Sequence, residues 1–228
     1  MVNGAQSLAG VPVIAIDGPS ASGKGTIAAA VAADLRYHYL DSGALYRIVG
    51  LVATRAGLNL DQDLEVSSIL LNLNIKFKSS RIWVNAEDVS DAIRGEQAGE
   101  AASRVAALPS VRQGLVGLQH GFRQHPGLVA DGRDMGSVIF PDARLKIYLT
   151  ASPEERAKRR YKQLIAKGSS ANMTDLLQDI QARDFRDSHR SAAPLLQEAD
   201  AHYIDSTALS IERVVAEVLD LYDQVQRV

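Results

Sequence analysis

Cysteine is absent from all 228 positions, and that single absence excludes disulfides, thiolate metal sites and thiol nucleophiles together; it fits a reducing compartment. Charge of one sign is also lacking. A net charge of −2 leaves no basic field able to hold a nucleic-acid backbone, so an anionic partner has to be met by a local cluster and is expected to be small. No apolar run approaches the ~20 residues that cross a bilayer, and the opening "MVNGAQSLAG" lacks the basic-then-apolar order of a signal peptide. The expectation is therefore a soluble, cytoplasmic chain with no membrane partner. Internal repeats and low-complexity tracts are missing as well. What is present, 46% hydrophobic residues over this length, suffices for one sizeable core and a small satellite.

The order of elements is legible from pattern. "VPVIAID" is a nearly continuous β-branched run, the signature of a strand buried on both faces of a parallel sheet. "YHYLD", "GLVADGRD", "RLKIYLT" and "AHYIDS" are four further apolar strands, separated by stretches long enough for helices. Alternating strand and helix predict an α/β fold: an open, five-stranded, mainly parallel sheet flanked by helices. "SGALYRIVGLVATRAGL" has helical spacing, with Leu45, Ile48, Val49 and Val52 on one face. Between residues 61 and 102 the rhythm breaks. "NIKFKSSRIWVNAEDVS" alternates apolar and polar residues around Ser79-Ser80, predicting a small antiparallel hairpin inside an inserted α+β subdomain; the alternative is that these strands extend the main sheet. Ser152, Pro153 and Glu155 open a further helix with a capping box and a proline start. That helix carries Arg156, Lys158, Arg159, Arg160 and Lys162 before the break "KGSSANM", and the region 156–173 reads as a helical lid over bound phosphates.

"GPSASGKGT", from Gly18 to Thr26, lies between the first strand and an alanine-rich helix. A G-x-x-x-x-G-K run in that context predicts a phosphate-binding loop, whose backbone N–H groups form an anion nest closed by a helix N-terminus. Lys24 then reaches the terminal phosphates as a point charge. Gly25 stands where the common motif has Ser or Thr, which displaces the metal-binding hydroxyl to Thr26. Asp131, at the carboxyl end of the third apolar strand, sits where an acid holds magnesium through its water. "GKGT" in this order is similar to small kinases acting on nucleoside monophosphates.

A kinase also needs a second anion site. In "DSGALYR", Ser42 can cap a helix from which Arg47 projects, although a capped helix with a surface arginine accounts for the same residues. "DGRDMG" places Arg133 and Asp134 at a strand's carboxyl end. In "RDFRDSHR", Arg183, Arg186 and Arg190 share one predicted helix face with Asp187, an arrangement that fits either an anion site or a salt-bridged, solvated face.

Taken together, "AIDGPSASGKGT", "LDSGALYR", "ASRVAALPSVR", "DGRDMG" and "RDFRDSHRSAAPL" make the chain resemble, nearly end to end, the bacterial-type cytidylate kinases among P-loop nucleoside monophosphate kinases. The resemblance implies a single P-loop kinase domain over residues 1–228, a monophosphate-binding insertion at 61–102, and transfer of the γ-phosphoryl group of ATP to CMP or dCMP with Mg²⁺. It implies an ATP site at Gly18, Pro19, Ser20, Ala21, Ser22, Gly23, Lys24, Gly25 and Thr26. Asp41, Ser42, Arg47, Arg133 and Arg190 would lie about the acceptor, all but Asp41 on its phosphate. Ser103, Arg112 and Asp134 would read cytosine, and Arg183 and Asp187 would meet the ribose. Lys24, Arg133, Arg159 and Arg190 would act in catalysis, and Thr26 and Asp131 would meet the metal. The expected assembly is a monomer. Asp134 also makes sense by chemistry alone, because cytosine's N4 amine is a donor and a carboxylate accepts. Competing readings are a kinase for uridylate, shikimate or a guanylate-like acceptor, and a P-loop switch; the switch reading calls for N-K-x-D, which the sequence lacks.

Overall fold

The computed structural model describes residues 10–78, 81–166 and 168–227. The chain divides into two compact units, one made of residues 1–40 with 120–228 and the other of Asp41–Gln119.

In the first unit, strand β1 (Val13–Asp17) is buried at all five positions, as a β-branched strand covered on both faces must be. It pairs in parallel with β6 (Leu128–Gly132) and with β7 (Leu145–Thr150), so that Asp17 lies level with Gly132 on one side and Tyr148 on the other. Strand β8 (His202–Asp205) pairs in parallel with β7, and β2 (His38–Asp41) completes the five-stranded sheet in the order β2-β6-β1-β7-β8. Strands β1 and β6 therefore finish side by side at the carboxyl edge, where open α/β sheets bind ligands.

Helices α1 (Lys24–Leu35) and α8 (Ile211–Gln226) cover one core: Ile27, Ala28 and Val31 from α1 and Val214, Val218 and Tyr222 from α8 pack with Ile14, Ile16 and Ile147. Each fully buried large aliphatic side chain there stabilises by roughly 2 kcal/mol. The phenol of Tyr222 is not left unsatisfied, because Tyr37 Oη lies 2.8 Å away. Helix α6 (Pro153–Ala166) begins as its sequence predicts, with the Glu155 N–H donating to Ser152 Oγ at 3.2 Å. The capping box is half used, since the Glu155 carboxylate accepts from Arg159 Nε at 3.2 Å. Helix α7 (Met173–His189) is capped by Asn172 and packs Leu176 and Ile180 on Ala157 of α6.

The second unit carries α2 (Ser42–Arg55), α3 (Asp63–Ser68) running into a 3₁₀ turn at Ile69–Asn72, α4 (Glu96–Val105) and α5 (Pro109–His120). The residues around Ser79-Ser80 form their own sheet and do not extend the main one. Strand β3 (Ile75–Lys78) pairs antiparallel with β4 (Arg81–Val84), which pairs with the short β5 (Glu87–Asp88). Ser79 and Ser80 lie outside the described residues. Val84, Val89 and Ile93 form the apolar core with Ala44 and Ile48 of α2. Helices α2 and α4 touch backbone to backbone: a Cβ on Gly50 would meet Ala101 Cβ at 2.8 Å and Ala101 C at 3.0 Å. No helix among the described residues is long and apolar enough to cross a membrane.

Candidate active site

The loop after β1 is shaped by three unusual backbone positions. Gly18 has φ +153°, and any Cβ there would lie 2.0 Å from the Leu149 carbonyl oxygen, so no larger residue fits against β7. Gly23 (φ 96°) opens α1, and Ala21 (φ 58°) holds the left-handed conformation that a side chain resists. Such alternation turns successive N–H groups inward and leaves carbonyls outward. Those carbonyls are taken by the arginines of α6. Arg156 donates to Ser20 O at 3.2 Å while forming a two-toothed pair with Asp184 of α7 at 2.9 and 2.5 Å, and Arg159 donates to Ser22 O at 2.9 Å and to Ser206 O at 2.6 Å. Arg156 is thus buried, at 3% exposure, and braces the loop in place of offering a free lid cation.

Lys24 is buried and donates to Pro19 O at 2.9 Å, with its Nζ 4.0 Å from Asp131 Oδ1. Burial first, then the charges of Arg133 and Arg183, push the ammonium down to about 7 against the opposing pull of Asp131 and Asp17. Asp131 accepts from Tyr39 Oη at 3.2 Å through Oδ2, the same oxygen that a Cβ on Gly25 would meet at 3.2 Å. This explains glycine where Ser or Thr is commoner: the space is taken by the acid. Thr26, one residue on, is exposed. Among the described residues no group of three or more acids and histidines gathers as a metal cage.

At the end of β6, Arg133 donates through Nε to Asp187 Oδ2 at 2.8 Å, and Arg183 Nε stands 4.0 Å from the same oxygen. Burial works to raise the Asp187 carboxyl, but Arg133, Arg183 and Arg190 together outweigh it and hold the group below the usual carboxylate range. Arg190 is not on the helix face with the others. It is the C-cap of α7 in an extended conformation, its Nε donating to Ala193 O at 2.7 Å and a terminal nitrogen 3.8 Å from Asp134 Oδ1. Arg186 is exposed. Hence three arginines, 133, 183 and 190, converge with two acids, Asp134 and Asp187, within one unit. The solvated-face reading fits only Arg186.

In the second unit the cap of α2 is Asp41, whose Oδ1 accepts the Ala44 N–H at 3.0 Å. Ser42 is the first helical residue, buried at 3%. The extended backbone a cap requires is held by Asp41 (φ −87°, ψ 92°), so the expected cap moves back by one. Arg47 donates to Ile93 O at 3.1 Å. Ser103 is buried on α4, and Arg112, buried on α5, donates to Ala106 O at 3.2 Å with its guanidinium 5.8 Å from the Tyr46 ring centroid.

Sequence reasoning missed Asp17 and Ser206. Asp17, buried at the end of β1, accepts from the N–H groups of Met135 and Gly136, both at 2.8 Å. Burial pushes its carboxyl up to about 7, with Asp134 adding to the effect and the two N–H bonds opposing it. An acid closing an otherwise β-branched run was the available signal.

Comparison with known proteins matches residues 14–224 to the family described as cytidylate kinase. A protein of Nitrosomonas europaea named cytidylate kinase is 55% identical, with 95% of this chain and 97% of that one covered. One of Chromobacterium violaceum with the same name is 54% identical over the same shares. Among solved structures, a gluconokinase of Sinorhizobium meliloti 1021 aligns with 94% of this chain and 93% of its own at 14% identity and a TM-score of 0.48.

Proposed function

Since this chain belongs to the cytidylate kinase family, we propose that it transfers the γ-phosphoryl group of ATP to CMP or dCMP, giving ADP and CDP or dCDP. The observation that carries this reading is a nested phosphate loop with a buried lysine beside a second, separate set of half-buried guanidinium groups, from the turn after β6 and from the end of α7. One anion site would serve a nucleotide-binding switch; two serve a donor and an acceptor. An ADP-release assay offering CMP, dCMP, UMP, GMP and shikimate in turn is expected to rank CMP and dCMP first, and equal rates with UMP would overturn the choice of acceptor.

Phosphoryl transfer asks the protein for positioning, charge and exclusion of water, with little covalent work. Lys24 and the inward N–H groups of the loop from Gly18 to Thr26 hold the donor. Within the first unit Arg133 and Arg190 are assigned to the acceptor phosphate and Asp134 to its base; within the second, the family resemblance assigns Ser42 and Arg47 to the phosphate and Ser103 and Arg112 to the base. Arg159, held on the loop carbonyl of Ser22 and on Ser206, is the lid cation assigned to the donor. The donor set suits Mg²⁺: hard oxygens only, one buried carboxylate on Asp131 and the exposed hydroxyl of Thr26, the sparse protein ligation this ion accepts. When bound, the ion neutralises charge on the donor's phosphate oxygens.

Two expectations arise here. A lysine lowered to about 7 is largely neutral at about pH 8, and a polyanion beside it restores the charged form. ATP binding at about pH 8 should therefore draw in protons, up to roughly one per site, and fewer as the pH falls below 7. Calorimetry in buffers of different ionisation enthalpy reads this directly, and a binding heat independent of buffer would refute it. The second concerns Asp187, whose Oδ2 is already engaged by Arg133. Asp187→Ala is expected to lower kcat/KM by about 10²-fold for CMP and dCMP alike, since breaking a buried charge pair leaves its partner uncompensated. A loss confined to CMP would assign the carboxylate to the 2′-hydroxyl.

A further inference from the structure

The turn that follows β6 is wider than an α-helical turn. The Ile139 N–H reaches back to Asp134 O at 3.1 Å and the Phe140 N–H to Met135 O at 2.7 Å, each spanning five residues. Such widened turns collect at functional sites. The first N–H groups of any helical turn have no acceptor within it, and here those of Met135 and Gly136 are both answered by one side chain from another strand, 118 and 119 residues away in the sequence. Asp17 Oδ1 takes Met135 and Oδ2 takes Gly136. The residue after Asp17 is Gly18, which opens the donor loop; the two residues before Met135 are Arg133 and Asp134.

We propose that Asp17 is a positioning residue for acceptor selection: fixed at the end of β1, its carboxylate grips the Met135–Gly136 backbone and so sets the direction in which Arg133 and Asp134 are presented. The inference rests on the cytidylate kinase reading and adds a residue to it. Several features point to orientation and not mere capping. A cap needs one acceptor, whereas both oxygens are used here, which fixes the plane of the turn as well as its distance. Gly136 sits close to its neighbours: a Cβ there would press on Lys146 Cγ and Cδ at 3.1 Å and stand 3.5 Å from Asp17 Oδ2. A buried carboxylate is also costly to keep charged, as the upward push on Asp17 shows, and a hydroxyl or an amide would avoid that cost while supplying one acceptor only.

The test is Asp17→Asn, which keeps the volume but turns one acceptor into an NH₂ facing an N–H. The expected result is a fall of about 10- to 100-fold in kcat/KM for CMP, a narrowed CMP-to-UMP preference, and a KM for ATP within about threefold of the parent. An unchanged CMP-to-UMP ratio overturns the proposal, and so does an equal loss toward ATP and CMP, which would make Asp17 a brace of the donor loop. A parent enzyme inactive on CMP would instead refute the assigned acceptor, so the two failures are distinct. If thermal unfolding shows that Asp17→Asn does not fold, Gly136→Ala displaces the same turn from its other side. It is expected to give the same CMP-selective pattern more weakly, and a variant indistinguishable from the parent overturns the proposal.

Discussion

Lys24→Ala is expected to lower kcat by about 10²-fold or more while the thermal unfolding midpoint moves little. The size follows from removing a fixed electrostatic stabiliser at the point where charge is in transit. The stability expectation follows from what surrounds the residue. Lys24 is buried and lies in the field of Arg133 and Arg183, both of which oppose its charge, and its nearest acid, Asp131, is 4.0 Å away and already bonded to Tyr39. Removing the ammonium relieves as much repulsion and desolvation as it loses in attraction. The group thus costs the apoprotein something and is retained for the ligand. Steady-state kinetics with a melting curve decide the matter: a variant with near-parental kcat would end the P-loop assignment, and one that fails to fold would make Lys24 a structural ion.

Asp134→Asn is expected to collapse discrimination between bases. Uracil replaces the N4 donor of cytosine by an O4 acceptor, so a carboxylate facing that edge sets lone pair against lone pair. Polar readout of this kind separates analogues by up to ~10⁴-fold, beyond what shape achieves. Asparagine keeps the volume and can present either a donor or an acceptor. The CMP-to-UMP ratio should therefore fall by about 10²-fold or more, through a loss on CMP and a gain on UMP, with the KM for ATP nearly constant. Asp134 is 2% exposed and 3.8 Å from Arg190, so part of the CMP loss will come from a loosened arginine. A ratio that stays put removes Asp134 from base recognition, and a large rise in the KM for ATP moves it to the donor side.

The sequence made the α/β layering readable because buried strands are written as uninterrupted β-branched runs and because glycines mark where the chain must pass close to something else. The loop from Gly18 was legible for the same reason. Side-chain partnerships were less so. That Arg190 leaves its helix could not be read from i, i+3, i+7 spacing, since the helix ends at His189 and the extended C-cap points the guanidinium back toward Asp134. That Arg156 braces the loop depends on Asp184 of the other helix, a pairing no local pattern reveals. Asp41 and Ser42 are both good capping residues, and only the position where the strand hands over to the helix decides between them. Asp17 looked like the last residue of a strand because its partners are more than a hundred positions away.

The contact of α2 with α4 through Gly50 and Ala101 sets a different kind of limit. With only the Ala101 methyl between the two backbones, little room is left for one helix to slide on the other, so Arg47 of α2 and Ser103 of α4 are carried on closely packed supports. Under the proposed assignment, Arg47 for the acceptor phosphate and Ser103 for its base, the spacing between the two is set by this contact. On the proposed roles such a pair works as a caliper, and a free base or a nucleoside, which lacks the phosphate end, is expected to bind more weakly than the monophosphate.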